Sequence, residues 1–198
     1  MLAASLVLAA SPATSVSVEF SARVTRTHPA DASRSNNGMM YVGSRAIRTE
    51  SHVQNQALRV IFHTETNEVW ILFPDRKAYL KQQGSRSSRP PLPDEAASPC
   101  QTDKNFSCRR VGNERINNRD TQHWHITYNN PQGAQESTHL WIDPRLQIAI
   151  KEQYHDGGLV QLTDIREETQ NSELFKIPGD YQQIILPNVT SPTPGTNP

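Results

Sequence analysis

The sequence predicts a mainly β protein built on one antiparallel sheet, and three observations predict it. Apolar residues recur at every second position in run after run along the 198 residues. Clusters of Asn, Asp, Gly and Pro fall between these runs at spacings of roughly ten residues. Helical periodicity is scarce. Strands joined by such short connections pair antiparallel, because a parallel crossover needs a dozen or more residues.

The chain opens with an apolar stretch from Leu2 to Ala10, followed by Ser11-Pro12-Ala13. This reads as the end of a secretory signal, an apolar run and then a small-x-small cleavage site, so residues 1–13 are expected to be a signal-peptide remnant. The residue after Leu8-Ala9-Ala10 is Ser11, whose hydroxyl cannot carry the thioether lipid of a lipoprotein. No later apolar run approaches the ~20 residues needed to span a bilayer, so the mature chain is not expected to be membrane-spanning.

The first strand follows in VSVEFSARV, with Val16, Val18, Phe20, Ala22 and Val24 on one face and Ser17, Glu19, Ser21 and Arg23 on the other. ALRVIF repeats the pattern with Leu58, Val60 and Phe62, and QHWHITY sets Trp124, Ile126 and Tyr128 against His123, His125 and Thr127. GMMYVG, AIRTESHV, EVWILF, KAYLKQ, THLWID, LQIAIKEQY and GLVQLTDIRE complete the predicted strands. Turn chemistry separates them at Asn36-Asn37-Gly38, Thr66-Asn67, Pro74-Asp75, Asn117-Asn118, Asn129 to Gly133, Asp143-Pro144 and Asp156-Gly157-Gly158. Short helical turns are expected around Asp94 to Ala97 and Ser172 to Phe175. The Ser- and Pro-rich insert 83–107 cannot form a central strand and must leave the sheet. Residues 187–198 read as a disordered tail after a domain spanning 14–186.

The only two cysteines, Cys100 and Cys108, lie at the end of the insert. A structural zinc site draws on four ligands at paired short spacings, and a redox pair is normally Cys-x-x-Cys at a helix start; neither pattern is present. What remains is a disulfide closing a short loop. It would contribute roughly 2–3 kcal/mol and persist only in an oxidising compartment, which agrees with export.

Lys+Arg and Asp+Glu both number 20, so no basic field is available for phosphates and no nucleic-acid partner is expected. No nucleophile elbow, Ser-x-x-Lys, His-Glu-x-x-His or Gly-rich phosphate loop occurs, and no catalytic residue, metal or cofactor is predicted. His123 and His125 could supply two metal ligands, but the sequence fixes no third, and the simpler reading is the polar face of a half-buried strand. The aromatics are more informative, because they lie in strands rather than loops. EVWILF is apolar on both faces, with Val69, Ile71 and Phe73 on one and Trp70 and Leu72 on the other. Such a strand must be covered on both sides or line an apolar groove.

GMMYVGSRAIRTES, EVWILFPDRKAYL, CRRVGNERINNRDTQHWHI, HLWIDPRLQIAIKEQ and LFKIPGDYQQI, in that order, resemble the LolA/LolB-like group of exported bacterial proteins. The resemblance covers Phe20 to Ile184, nearly the whole predicted domain. It implies a strongly curved antiparallel half-barrel with short helices or loops on the concave side. It also implies a non-enzymatic, periplasmic protein that binds a lipid, a lipoprotein acyl chain or another hydrophobic molecule. The alternative is a structural accessory that binds an envelope protein. This chain departs from the group in opening on a strand, with no long amphipathic helix for a lid. The expected ligand-binding residues are Phe62, Trp70, Leu72, Tyr79, Trp124, Ile126 and Trp141.

Overall fold

A computed structural model describes residues 18–84, 106–130 and 132–185. Twelve strands form a single sheet: β1 (Phe20–Thr27), β2 (Asn36–Val42), β3 (Ala46–Val53), β4 (Gln56–His63), β5 (Glu68–Phe73), β6 (Ala78–Gln83), β7 (Phe106–Ile116), β8 (Arg119–Asn129), β9 (Gln135–Asp143), β10 (Ile148–Tyr154), β11 (Leu159–Glu167) and β12 (Gln182–Gln183). Their order is β12-β6-β5-β4-β3-β2-β1-β11-β10-β9-β8-β7. The chain therefore starts mid-sheet, meanders outward to β6, and resumes at the opposite edge with β7. It then meanders back until β11 pairs with β1. Every pairing is antiparallel except that of β12 with β6.

The turns follow the chemistry read from the sequence. Gln54-Asn55 and Asn117-Asn118 have positive φ at both central positions, the condition for tight hairpins whose twist matches the strands. Gly157 (φ 84°) and Asn67 (φ 55°) take left-handed positions in two further turns. Asn36-Asn37-Gly38 is not a turn but the start of β2, where Asn37 and Gly38 pair with Thr25 and Val24. The reversal before it falls instead on a 3₁₀ turn, Ala32–Arg34, capped by the Asp31 side chain, which accepts from the Ser33 backbone N–H. The turn at Ser172–Phe175 is also 3₁₀ and is capped by Asn171. The helical turn expected near Asp94, the leader 1–13 and the tail 187–198 lie outside the described residues.

The sheet curls. The tip of the β7–β8 hairpin donates from Asn117 Nδ2 to Leu162 O at 3.0 Å on β11. In a flat sheet β7 lies four strands from β11, about 19 Å away at the usual inter-strand spacing. β10 and β11 pair only at Lys151–Gln161, Glu152–Val160 and Gln153–Leu159, and bulges interrupt both the β1–β11 and the β9–β10 ladders. These irregularities let the far wing fold back. Ile116 from that hairpin packs against a cluster with Phe20, Val24, Val42, Ile47, Ile150 and Leu162. The β1–β3 members of that cluster project from one face, which is thus the concave one. Arg119 ties the curl at its base, pairing with Asp143 on β9 and, at 2.7 Å, with Glu167 on β11.

The opposite, convex face of β3–β6 is covered by the C-terminal segment. Phe175 and Tyr181 pack on Ala46, Ile61 and Leu72, the last two fully buried. Arg48 Nη1 donates to Leu174 O at 2.6 Å. A Cβ at Gly43 would stand 2.7 Å from the Phe175 ring, so glycine here lets the segment sit close. β12 then adds to the edge of β6 through Gln182 N to Lys77 O and Ile184 N to Tyr79 O.

Candidate ligand-binding face

Cross-strand register assigns each side chain to a face, because directly paired residues project the same way. On the concave face one row runs Phe20, Val42, Ile47, Phe62, Val69, and all five are buried. The next row runs Ala22, Met40, Thr49, Val60, Ile71, Leu80, and from Met40 outward it is only half-buried. On the other wing the concave face continues through Val160, Glu152, Leu140 and Trp124, with Ile126 and Tyr128 beside them. The result is a band of partly open apolar side chains across both wings.

Three ionisable groups, Glu152, Tyr154 and Arg26, interrupt this band. Glu152 stands between Val160 and Leu140, and burial pushes its carboxyl above the ordinary carboxylate range. Its hydrogen bond is from the Tyr154 hydroxyl at 2.5 Å. Burial and the neighbouring Glu152 carboxylate push the Tyr154 phenol up in turn. Arg26, opposite Val160 on β1, is a cation that acts on both groups.

The seven residues expected to line one site divide between the faces. Phe62, Trp124 and Ile126 lie on the concave face. Trp70, Leu72, Tyr79 and Trp141 project from the convex one. Leu72 is wholly buried beneath the C-terminal segment, with Trp70 and Tyr79 around it. Trp70 is further packed by His63 at 4.0 Å between ring centroids and by Lys81 Nζ at 4.5 Å. The half-buried concave residues Met40, Val60, Ile71, Leu80 and Leu140 are not among the seven ligand-binding residues expected from the sequence. Alternation groups residues within a strand, but only cross-strand register says which groups meet.

Trp141 belongs to a different assembly, on the convex face of the far wing. It stacks on His123 (4.3 Å, 11°) and donates Nε1–H to Glu114 Oε2 at 2.8 Å. His123 is only 8% exposed, and His139 lies directly opposite His125, so the pair is not simply a solvated polar face. Burial, with His125 and His123 close by, lowers the His139 pKa.

Cys108 pairs with Ile126 and so lies on the concave face of edge strand β7. No cysteine among the described residues is free. Cys100, the other end of the expected bridge, lies outside them.

An open, curled antiparallel sheet that starts mid-sheet and carries an apolar concave face defines the class: a LolA-like half-barrel. Within that class the chain belongs to the family described as Domain of unknown function (DUF4412), whose model matches residues 22–149. No curated protein matches the sequence. Among solved structures, an uncharacterized conserved protein from Thermus thermophilus is similar at 13% identity and TM-score 0.55, covering 85% of this chain and 91% of that one. MucB of Pseudomonas aeruginosa, solved in complex with MucA, is similar at 12% identity and TM-score 0.54, covering 86% of this chain and 59% of that one. This chain thus spans little more than half of MucB. A LolA superfamily protein from Nitrosomonas europaea overlaps more loosely, at 9% identity and TM-score 0.36 over 83% and 91% of the two chains. For the first two, at 13% and 12% identity, the likeness is one of fold. No helix among the described residues is long and apolar enough to cross a membrane, which says nothing about crossing with strands.

Proposed function

We propose that this is an exported, non-enzymatic protein that holds a lipid, a lipoprotein acyl chain or a similar hydrophobic ligand against the concave face of its half-barrel. The observation that carries the reading is the half-buried apolar row from Met40 to Leu80, continued by Leu140 and Trp124. Apolar side chains aligned across a curved sheet offer an extended greasy surface that suits an acyl chain, and ligand sites combine such walls with few polar groups. Export rests on the leader-like stretch 1–13 and on the expected disulfide.

Adjacent residues test it. Ile71→Asp places a charge on the half-open concave face, and uptake of a fluorescent fatty-acid probe should fall at least tenfold while the fold survives. Leu72→Ala empties a fully buried position on the other face; it should cost about 3 kcal/mol of stability and leave probe affinity unchanged. Native mass spectrometry of detergent-free protein should find co-purified lipid. A wild type that takes up no acyl probe and carries no lipid would sink the reading.

A second reading is favoured by β7, the last strand of the sheet among the described residues, where Phe106 (39% exposed) and Val111 (44%) stand open. An extended segment of an envelope protein could add to that edge as a further strand. MucB, of similar fold, was solved with a protein partner.

A further inference from the structure

We propose that the concave site takes an acyl chain ending in an anionic oxygen group, a carboxylate or a phosphate, and that Arg26 is the cation that anchors it. The inference rests on the acyl-binding reading above and names the headgroup which that reading leaves open. One cross-strand row on the concave face runs Arg110, Trp124, Leu140, Glu152, Val160 and Arg26, from β7 to β1. Arg26 and Glu152 stand on either side of Val160, about 10 Å apart between backbones at the usual strand spacing. Apolar side chains continue on both wings, Leu140 and Trp124 on one and Met40, Val60 and Ile71 on the other. A polar centre flanked by greasy surface matches the division within an amphiphile.

Arg26 is half-buried, yet among the described residues its guanidinium makes no ion pair, whereas Arg23 and Arg34 each hold an aspartate. A partly desolvated cation without a counter-ion is unfavourable, and a ligand anion would offset this with charge-assisted hydrogen bonds. The planar guanidinium fork suits a carboxylate and a phosphate alike, so the two are named together. Arg110, the other guanidinium of the row, is exposed and already donates to Asn113 Oδ1 at 2.8 Å. It is therefore the weaker anchor.

Glu152 completes this site rather than opposing it. The Tyr154 hydroxyl donates to Glu152 Oε2 at 2.5 Å, and Oε1 has no partner among the described residues. On β9 and β11 the carboxyl is flanked by Leu140 and Val160, so the groups that face it are Arg26 and Tyr154. Beyond the phenol stands Tyr128, itself donating to Glu136 at 3.0 Å. Burial raises the Glu152 carboxyl, and in its neutral form Oε1–H is a donor to an anion held by Arg26. Ionised, it repels that anion. Trp124 Nε1–H, on the same row, is buried without a partner, and a ligand oxygen would remove the cost of leaving it so.

The test is displacement of Nile red, a neutral apolar dye, from the full-length protein by laurate, dodecyl phosphate and methyl laurate, which share one chain length. Laurate or dodecyl phosphate should displace the dye at about tenfold lower concentration than the neutral ester, the worth of one charge-assisted contact. The stronger of the two assigns the source, free fatty acid or phospholipid. Arg26→Met should abolish the preference and leave methyl laurate binding unchanged, and Arg26→Lys should keep most of it. Laurate affinity should fall as pH rises and Glu152 ionises, and Glu152→Gln, which retains a donor there, should remove the fall. Arg110→Met should change nothing. Equal affinity for all three compounds in wild type, or a preference that survives Arg26→Met, overturns the anchor and leaves the acyl site standing. An Arg26→Met protein that loses methyl laurate to the same extent makes Arg26 structural and also overturns it. A wild type that binds none of the three removes both readings.

Discussion

Glu152 is a carboxyl set among apolar neighbours, and that placement makes it a residue with a measurable signature. Its folded-state pKa is raised above the ordinary 4.5, chiefly by burial, against smaller opposing effects of the Tyr154 hydroxyl and Arg26. A carboxyl raised in the folded state favours folding at acid pH, and that contribution is lost as pH rises from the unfolded pKa through the folded one. Glu152→Gln keeps the shape without the charge. Its melting temperature should exceed that of wild type at pH 7, and the two should converge as pH falls below 4.5. A variant melting at or below wild type at every pH would mean that the carboxylate, once ionised, is well compensated in the fold. Asp156 has the opposite sign: the Gly158 backbone N–H first, then Arg34, holds it at about 2, so its contribution is present at neutral pH and fades only in strong acid. The two effects therefore act in separate pH windows.

At the scale of elements, the C-terminal segment is the part whose role is clearest. A 3₁₀ turn and a two-residue strand have little intrinsic stability, so the segment is held by what it covers: Ile61 and Leu72 beneath Phe175 and Tyr181, with Arg48 gripping Leu174 O. Phe175→Ala should cost about 2 kcal/mol, less than a typical large core truncation because the ring is only half-buried. Hydrogen exchange should show the Gln182 and Ile184 amides, which donate to Lys77 O and Tyr79 O of β6, losing protection. Unchanged exchange at these two amides would mean that the segment is decoration rather than a cover. β7, the opposite edge, has no such cover among the described residues. It was also the strand that the sequence did not disclose: in FSCRRVGNERI the apolar residues Phe106, Val111 and Ile116 fall five apart, and charged residues occupy both faces. An edge strand flanked by solvent needs no period-two alternation, so none is written into it.

For the whole molecule the question is what holds two meanders in one curled sheet. The β10–β11 ladder is short, and much of the closure falls to Arg119, which reaches Asp143 and Glu167, with Arg145 pairing to Glu167 at 2.6 Å. Asp143 is nearly inaccessible and also accepts from the Arg145 and Leu146 backbone N–H groups. Arg119→Met would leave the buried Asp143 charge without its guanidinium, and should cost about 3 kcal/mol in urea unfolding. A loss below half of that would assign the closure to the apolar cluster alone. The expected Cys100–Cys108 bridge would attach at Cys108, on the concave side of β7. In exported protein, alkylation without reductant should label neither thiol; labelling of both would remove the bridge and the strongest internal support for an oxidising compartment.

Much of this was written in the chain itself. Alternation in segments such as FSARV, ALRVIF and HWHITY, with Asn and Gly at left-handed turn positions, determines strands, hairpins and antiparallel order, because each of these depends on residues close in sequence. The Asn36-Asn37-Gly38 run shows the limit even locally: its turn-like composition is overridden by pairing with β1, a partner supplied by the fold. What only the tertiary structure decided is which faces meet. Trp70 and Trp124 look alike in sequence, yet β5 turns Trp70 toward the convex side and β8 turns Trp124 toward the concave one. That assignment depends on strand register across the sheet and on the bulges in the β1–β11 and β9–β10 ladders. The histidines divide along the same line: His123 and His125 share a face by parity alone, whereas His139 completes the cluster through a cross-strand register that no local pattern encodes.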